Sequence, residues 1–586
     1  MFSRLPRVAA AVMASGQSGA QLEVTLPCGR AIGAPVQYPV VPGQLQAAVF
    51  RSLPYGHIPV RWMPPVRAPC WHGTLNTTKH TTVCWQEGGR ATRPPTVQSE
   101  DCLNLDVYAA IRATSSSSSS SSSQSSQHLR SSSRQVRLRP VVVWLYGGSL
   151  VHGSSSSYPG LGALALLEDI VLVVPNYRIG AHGFLSHPAL DMLDPRNVSG
   201  NYGLLDQQLA LSWVAANARA FGGDPTRVSV LGQSSGGTSI LALLSSPASK
   251  GLFQSAISLS ASPNISMGLQ QAHSQFDATI RKTTPCGGAS SLAAVGACLH
   301  NLSAAEVASI LPAAVYDVEP SLPRSPSGEA YAGLIVVDGV TVVADAETAL
   351  RSGLVDVPLL LQTQLAEMDT YENNATIDRL TPAEFGQLLA QRLVSGGANT
   401  SAAADLAATV LDTYRSELAI SVELGSQVFV ADYSMLCGGI ALGLAASHGF
   451  RSPVYLSVGT HAPCHPLPVL PGRPPCRYSG HNFDLIAAIR SWSFYAIHFG
   501  AQPYAPCPSD ARWGDVMRQQ WINLTRDGRL GPSFLPARSA DRGVAAGDYQ
   551  VGLQTAAGTV MSTNYGRERC AALAAVGIDK RFWLTN

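Results

Sequence analysis

Gly232-Gln233-Ser234-Ser235-Gly236 is the segment of this chain with the plainest chemical meaning, because it matches the pattern G-x-S-x-G. In a chain with 53 glycines and many serines such a match carries little weight alone. Its surroundings add weight. The β-branched run Arg227–Leu231 leads directly into it, and a helical run, Gly237–Leu244, leads out. A serine on a tight turn between strand and helix projects its hydroxyl away from the backbone, where it can attack a carbonyl carbon. The flanking glycines suit a turn with no room for side chains. The helix amino terminus aims amide dipoles at the negative charge that such an attack creates. The chemistry implied is acyl transfer, and it requires a base, an acid to orient the base, and donors for an oxyanion.

The elements that position this serine follow from hydrophobic pattern. Pro140–Leu145, Ile170–Val174, Arg227–Leu231 and Ser255–Leu259 read as buried parallel strands, and Pro358–Leu361 and Pro453–Ser457 continue the series. Between them Tyr202–Ala220 has helical periodicity, with Leu204, Leu205, Leu209, Leu211 and Trp213 as its apolar positions. Alternating strand and helix predict an α/β class, with one doubly wound, mostly parallel sheet. The Ala- and Leu-rich stretch from Ala293 to Ala419 reads as a helical insertion on that sheet. Residues 21–586 are expected to form a single domain, preceded by a signal peptide or unstructured terminus at 1–20. At 114–134 a nearly pure serine run has nothing to bury and is expected to be a disordered loop.

Several blocks then resemble the type B carboxylesterase, or cholinesterase-like, family. Asn201 to Leu211 with Trp213 and Phe221 to Pro225 resembles the family's block before the nucleophile. Glu100 to Leu105 resembles its second signature, and Asn176 to Leu185 a third segment. The blocks come in family order, and the similarity runs from about Ala48 to Trp583. The resemblance implies an α/β-hydrolase fold and a serine hydrolase of carboxylic esters with no cofactor or metal. Its nucleophile would be Ser234, its acid Glu367 and its base His481. It assigns the oxyanion N–H groups to Gly148 and Ser149, on the turn Tyr146–Ser149, and to Ser235. Ser149 stands where the family usually has glycine, Ser235 where it has alanine, and Asn482 where glycine follows the histidine. Asparagine tolerates the left-handed backbone that glycine would adopt. His461 and His465 are rivals for the base by proximity but lack the Asp-Leu that follows His481 at Asp484. Asp369 lies two residues beyond Glu367, where its side chain is expected to point away from the histidine.

Through the same resemblance, the family's disulfides map onto Cys84–Cys102, Cys286–Cys298 and Cys437–Cys570. Cys464 and Cys476 are candidates for a fourth bridge, with zinc on Cys464, His465 and Cys476 as a weaker rival. Cys28, Cys70 and Cys507 remain, and with 11 cysteines at least one is unpaired or intermolecular. Seven glycosylation sequons occur, at Asn76, Asn197, Asn264, Asn301, Asn374, Asn399 and Asn523. Together with the cysteines they predict passage through the secretory route and a secreted protein. A net charge of +2 gives no electrostatic case for nucleic acid. No apolar run reaches the ~18 residues of a membrane span, and the stretch Asp579–Asn586 lacks the tail of a lipid-anchor signal. The expected partner is a small-molecule ester. Cholinesterases stack quaternary ammonium on a tryptophan inside the first disulfide loop. Trp85 here follows Cys84 directly, so choline esters are not expected. The reading from another class is an adhesion protein that keeps the fold without catalysis.

Overall fold

The computed structural model describes residues 22–578 apart from 38–45, 88–96, 111–136, 159, 312–321, 324–332, 371–376, 470–474, 539–544 and 546. The serine run, residues 1–20 and the sequon at Asn374 lie outside the described residues. A 13-stranded sheet forms the centre. Its main path uses β1 (Leu22–Leu26), β2 (Gly29–Gln37), β3 (Gln46–Pro54), β4 (Asn104–Ala110), β5 (Arg139–Leu145), β6 (Val171–Pro175), β7 (Gly223–Gln233), β8 (Ser255–Leu259), β9 (Leu359–Gln364), β10 (Val454–Gly459), β11 (Gln550–Thr555) and β12 (Gly558–Thr563). The spatial order is β1-β2-β3-β4-β6-β5-β7-β8-β9-β10-β11-β12, with the short strand Thr74–Asn76 added beside β2. From β6 to β11 every pairing is parallel, and along the main path both flanks are antiparallel, while Thr74–Asn76 pairs parallel with β2.

All six predicted strands exist, with ends shifted by a few residues. The central ones are buried on both faces: Val141 to Leu145, Val228 to Leu231 and Ala256 to Leu259 are essentially inaccessible. This burial explains why they read as continuous apolar runs rather than alternating ones. The predicted helix is α1 (Tyr202–Asn217), extended by a 3-10 turn to Phe221. Leu204 and Leu211 reach the core, whereas Leu205, Leu209 and Trp213 are only half-buried. Its Asp206 is also buried, and Arg178 grips it at 2.8 Å, so the charge is compensated.

Helices α2 (Ser235–Leu244), α3 (Pro382–Ser395), α4 (Thr400–Thr413), α5 (Val422–Ala431), α6 (Cys437–Gly449), α7 (Phe483–Ala488) and α8 (Pro508–Asp527) complete the part that matters for the site. The Ala293–Ala419 stretch is not one helical insertion, since β9 passes through its middle. Beyond β9, α3 to α5 bury a second apolar core, built from Phe385, Leu389, Leu406, Val410, Val428 and Phe429. Met368, from the turn after β9, inserts into that core.

One helix bears on the expectation about membranes. Among the described residues the helical run Val422–Gly449 is long and apolar enough to cross a bilayer. Glu423, Gln427 and Asp432 interrupt its apolar sequence, so it did not read as one run. The fold buries 78% of its most apolar window, and a π-helical turn at Asp432–Leu436 lies within the run.

Candidate active site

At the end of β7 the chain reverses through Ser234, whose φ of +59° and ψ of −129° are unusual for a residue with a side chain. Its N–H donates to the Leu259 carbonyl at the end of β8 (2.9 Å), and Thr238 N–H closes the first helical turn on its carbonyl. Sterics enforce this turn. A Cβ on Gly236 would lie 2.1 Å from the Leu145 carbonyl oxygen, and one on Gly147 would lie 2.8 Å from Ser234 Cβ. Contacts this short are available only to glycine. They bring the ends of β5 and β7 against the start of α2.

Gly147 begins the neighbouring turn, where Gly148, Ser149 and Leu150 all have positive φ (+125°, +54° and +58°). Three such residues in succession must be held by their surroundings. Ser235 Oγ accepts the Leu150 N–H at 3.1 Å, entirely buried, and so latches the turn to the start of α2. Tyr146 and Tyr177 brace it from below, stacked at 4.2 Å, with the Tyr177 hydroxyl donating to the Tyr146 carbonyl at 2.6 Å. The serine that replaces the family's alanine at 235 therefore has a job that alanine could not do.

Two loops beyond the sheet supply the remaining groups. Glu367 opens a 3-10 turn after β9 and is fully buried. Its Oε1 accepts the Gln364 N–H at 2.6 Å, and its Oε2 lies 2.7 Å from His481 Nδ1. A carboxylate there fixes the tautomer with the proton on Nδ1, leaving the lone pair on Nε2. That second nitrogen lies 3.0 Å from Nε2 of Gln233, the residue before Ser234. The Gln233 Oε1 is buried without a hydrogen-bond partner among the described residues. The Tyr495 hydroxyl donates to the His481 carbonyl (3.1 Å), and Asn482 adopts the expected left-handed backbone, φ +71°. Asp484 is buried beneath, taking Gln362 Nε2–H at 2.7 Å and its neighbour's N–H. Burial, with the charge of Glu367 adding to it, pushes the Asp484 carboxyl up to about 7.

The structure thus brings Gln233, Glu367 and His481 together beside Ser234. It leaves the rival histidines elsewhere: His461 pairs with Asp510 at 2.9 Å, and His465 is exposed. Asp369 does not face the histidine, but neither does it project into solvent; it is fully buried. Pattern reading missed the contacts of Gln233, Asp369, Asp484 and Tyr495, which depend on loop conformations that no local spacing encodes.

Three cysteine pairs match expectation, with Cα separations of 4.9 Å for Cys84–Cys102 and 5.5 Å for both Cys286–Cys298 and Cys437–Cys570. Two more are Cys28–Cys70 and Cys464–Cys507. The expected Cys464–Cys476 bridge is therefore wrong, because Cys507 at the start of α8 claims Cys464. Cys476 is a buried thiol that donates to the Asp369 carbonyl at 2.9 Å. The zinc grouping fails with it: the metal-capable set among the described residues is Cys464, Cys507 and Asp510, and its two sulfurs are bonded to each other. Five disulfides fit a protein of the secretory pathway. Of the sequons, Asn76, Asn197, Asn301 and Asn399 are exposed, and Asn523 is half-buried within α8. Asn264 is buried, and its Oδ1 accepts from Ser266 Oγ.

A strand, a sharp turn with serine at its apex, and a helix, beside a buried imidazole–carboxylate pair, define a serine hydrolase of the α/β type. Comparison with known proteins agrees. Residues 20–528 match the model of the carboxylesterase family. The chain is 27% identical over 549 residues to human cocaine esterase, covering 90% of this chain and 87% of that protein. Over a shorter span of 216 residues it is 36% identical to fumonisin B1 esterase of Sphingopyxis macrogoltabida, which covers 36% of this chain and 35% of that protein. Among solved structures a thermophilic pNB esterase superposes with a TM-score of 0.67 at 22% identity, over 94% of this chain and 99% of that one. The chain belongs to the carboxylesterase family and is a carboxylic ester hydrolase. Its substrates are small-molecule esters, and the adhesion reading falls away.

Proposed function

We propose that Ser234 is the nucleophile, His481 the general base and Glu367 the carboxylate that orients it. The observation that carries this reading is the chain of contacts from Glu367 Oε2 to His481 Nδ1 (2.7 Å), with the opposite ring nitrogen beside Gln233 of the serine turn. In this mechanism Ser234 Oγ attacks the ester carbonyl carbon while its proton passes to His481 Nε2. The carbonyl oxygen becomes an oxyanion, which the N–H groups of Gly148, Ser149 and Ser235 receive. Collapse expels the alcohol, which takes the proton from His481, and leaves an acyl-Ser234 ester. Water then attacks that ester, again giving its proton to His481, and the carboxylic acid departs.

General acyl esters with modest apolar acid or alcohol parts fit best. Trp85 lines a small cavity with Arg61, Trp62, Glu100, Arg178 and His182 rather than the serine turn, which argues against choline esters. We further read residues 21–586 as one catalytic domain that is secreted, with N-glycans at Asn76, Asn197, Asn301 and Asn399. Ser234→Ala should remain folded while losing fluorophosphonate labelling and at least about 10⁴-fold in kcat. Retained labelling at another serine would overturn the assignment. A p-nitrophenyl ester series of increasing chain length then defines acyl preference.

A further inference from the structure

The turn that carries Glu367 holds a second buried carboxyl with a different task. Asp369 sits in the same 3-10 turn, Glu367–Thr370, and is inaccessible to solvent. Its Oδ2 accepts two backbone N–H groups, those of Arg477 and Tyr478, each at 2.6 Å. These residues open the segment Arg477–His481 that delivers the imidazole. Other bonds run between the same two loops. Ala366 N–H donates to the Ser479 carbonyl (3.1 Å) and His481 N–H to the Glu367 carbonyl (3.0 Å). The Cys476 thiol donates to the Asp369 carbonyl. The two bonds to Asp369 Oδ2 are the charge-assisted members of this set, which makes them shorter and stronger than neutral ones.

We propose that Asp369 is a positioning residue, a carboxylate clamp that locks the Glu367 turn to the His481 segment and thereby sets the alignment of acid and base. This rests on the assignment of Glu367 and His481 given above. Misplacing a catalytic group by about 1 Å can cost ~10²-fold in rate, so a bond that fixes the approach of one loop to another has kinetic weight. The clamp spans only three residues to His481 on one side and two to Glu367 on the other, too few for slack to be absorbed.

The groups around the clamp make it respond to pH. The Arg477 guanidinium faces Asp369 and bonds Asp378 (3.0 Å) and Glu423 of α5 (2.8 Å), so three carboxylates share one arginine. The Tyr478 ring and the Cys476 thiol complete the surroundings. Burial pushes Asp369 up to about 6, against the pull of the two N–H donors and Arg477. Burial also lifts Glu423 to about 7. As pH falls through about 6, Asp369 gains a proton in the folded protein and its grip on the two N–H groups weakens. Stability moves the other way. Between the ordinary carboxyl range and about 6, the folded chain holds a proton that the unfolded chain has released, so this group favours folding at the acid end and less as pH rises. A loss of rate without a loss of stability is the signature of the clamp.

The experiment measures kcat and KM for p-nitrophenyl acetate from pH 5 to 9 on Asp369→Ala, Asp369→Asn and Asp369→Ala combined with Glu367→Gln, with His481→Ala as the control. Asp369→Ala should lower kcat about 10–100-fold with KM within about twofold. Asp369→Asn keeps an acceptor oxygen, so it should stay within about fivefold of the parent at pH 8, and its acid limb should be shallower by one proton. On the Glu367→Gln background, Asp369→Ala should cost no more than about twofold, because the alignment it supports has already lost its purpose. A folded Asp369→Ala within about twofold of the parent, or a full loss that multiplies on Glu367→Gln, would overturn the clamp. If Asp369→Ala does not fold, Asp369→Asn decides alone, and an acid limb of unchanged steepness overturns it. Turnover retained by His481→Ala would instead refute the acid–base assignment, a separate failure.

Discussion

The serine turn and the loops of Glu367 and His481 hold their groups in place by different physics. At Ser234 the constraint is steric. The ends of β5 and β7 and the start of α2 approach so closely that Gly147 and Gly236 cannot gain a Cβ, and a strained serine is locked at the apex. At Glu367 and His481 the constraint is polar. Two loops outside the sheet are joined by hydrogen bonds that carboxylates and carbonyls accept, with Met368 anchoring one of them in the helical core. The first region should therefore be insensitive to pH and intolerant of added atoms. The second should be more sensitive to loss of charge than to a change of shape.

Three further substitutions would break or sharpen this contrast. The largest effect is expected from Glu367→Gln, which keeps size and removes charge. It should lower kcat by about 10³–10⁴, roughly 4–5 kcal/mol, with far-ultraviolet circular dichroism unchanged. A loss below about tenfold would mean that the carboxylate is not what orients the imidazole. Next comes Gly236→Ala, a single methyl with no charge. Its Cβ meets a fixed carbonyl at 2.1 Å, so the fold should lose about 3 kcal/mol or more in urea unfolding. Unchanged stability would show that the elbow can shift, and the steric account would fail. The smallest effect is a displacement of pH dependence. In Gln233→Glu a carboxylate replaces the amide beside His481 Nε2, where it favours the protonated ring. The acid limb of kcat/KM should therefore move up by about one pH unit or more, with the rate at pH 9 little changed. A limb that stays in place would show that Gln233 does not sense the base.

Legibility followed the same division. The strand, serine turn and helix were readable because local sterics write themselves into local sequence: apolar β-branched residues, then glycines at fixed spacing. The left-handed backbone at Asn482 came through the resemblance, which has glycine there, together with asparagine's tolerance of that conformation. Glu367 and His481 came into view only through the resemblance of whole blocks, because nothing about either residue's own neighbourhood fixes a distance to the other. Asp369, Asp484 and Gln233 act across sequence separations of more than a hundred residues and left no local trace. Cysteine pairing was divided likewise. Three bridges followed from the resemblance, while Cys464 was assigned to the nearer Cys476 when its partner is Cys507, the residue that caps α8. The length of the Val422–Gly449 helix was not legible because isolated polar residues, buried in the fold, broke the apolar pattern.

The order of strands also has a consequence in time. Ser234 is made early, but the ring nitrogen beside its turn comes from a residue 248 positions later than Gln233. Strand β10, which precedes that histidine, gains its outer neighbour only when Gln550–Thr555 has been made. During synthesis the amino-terminal half must therefore wait as an inert scaffold with an open sheet edge, in need of protection from other chains. Under the assignment proposed above, a chain that ends before His481 carries the nucleophile without the base and acid that would activate it.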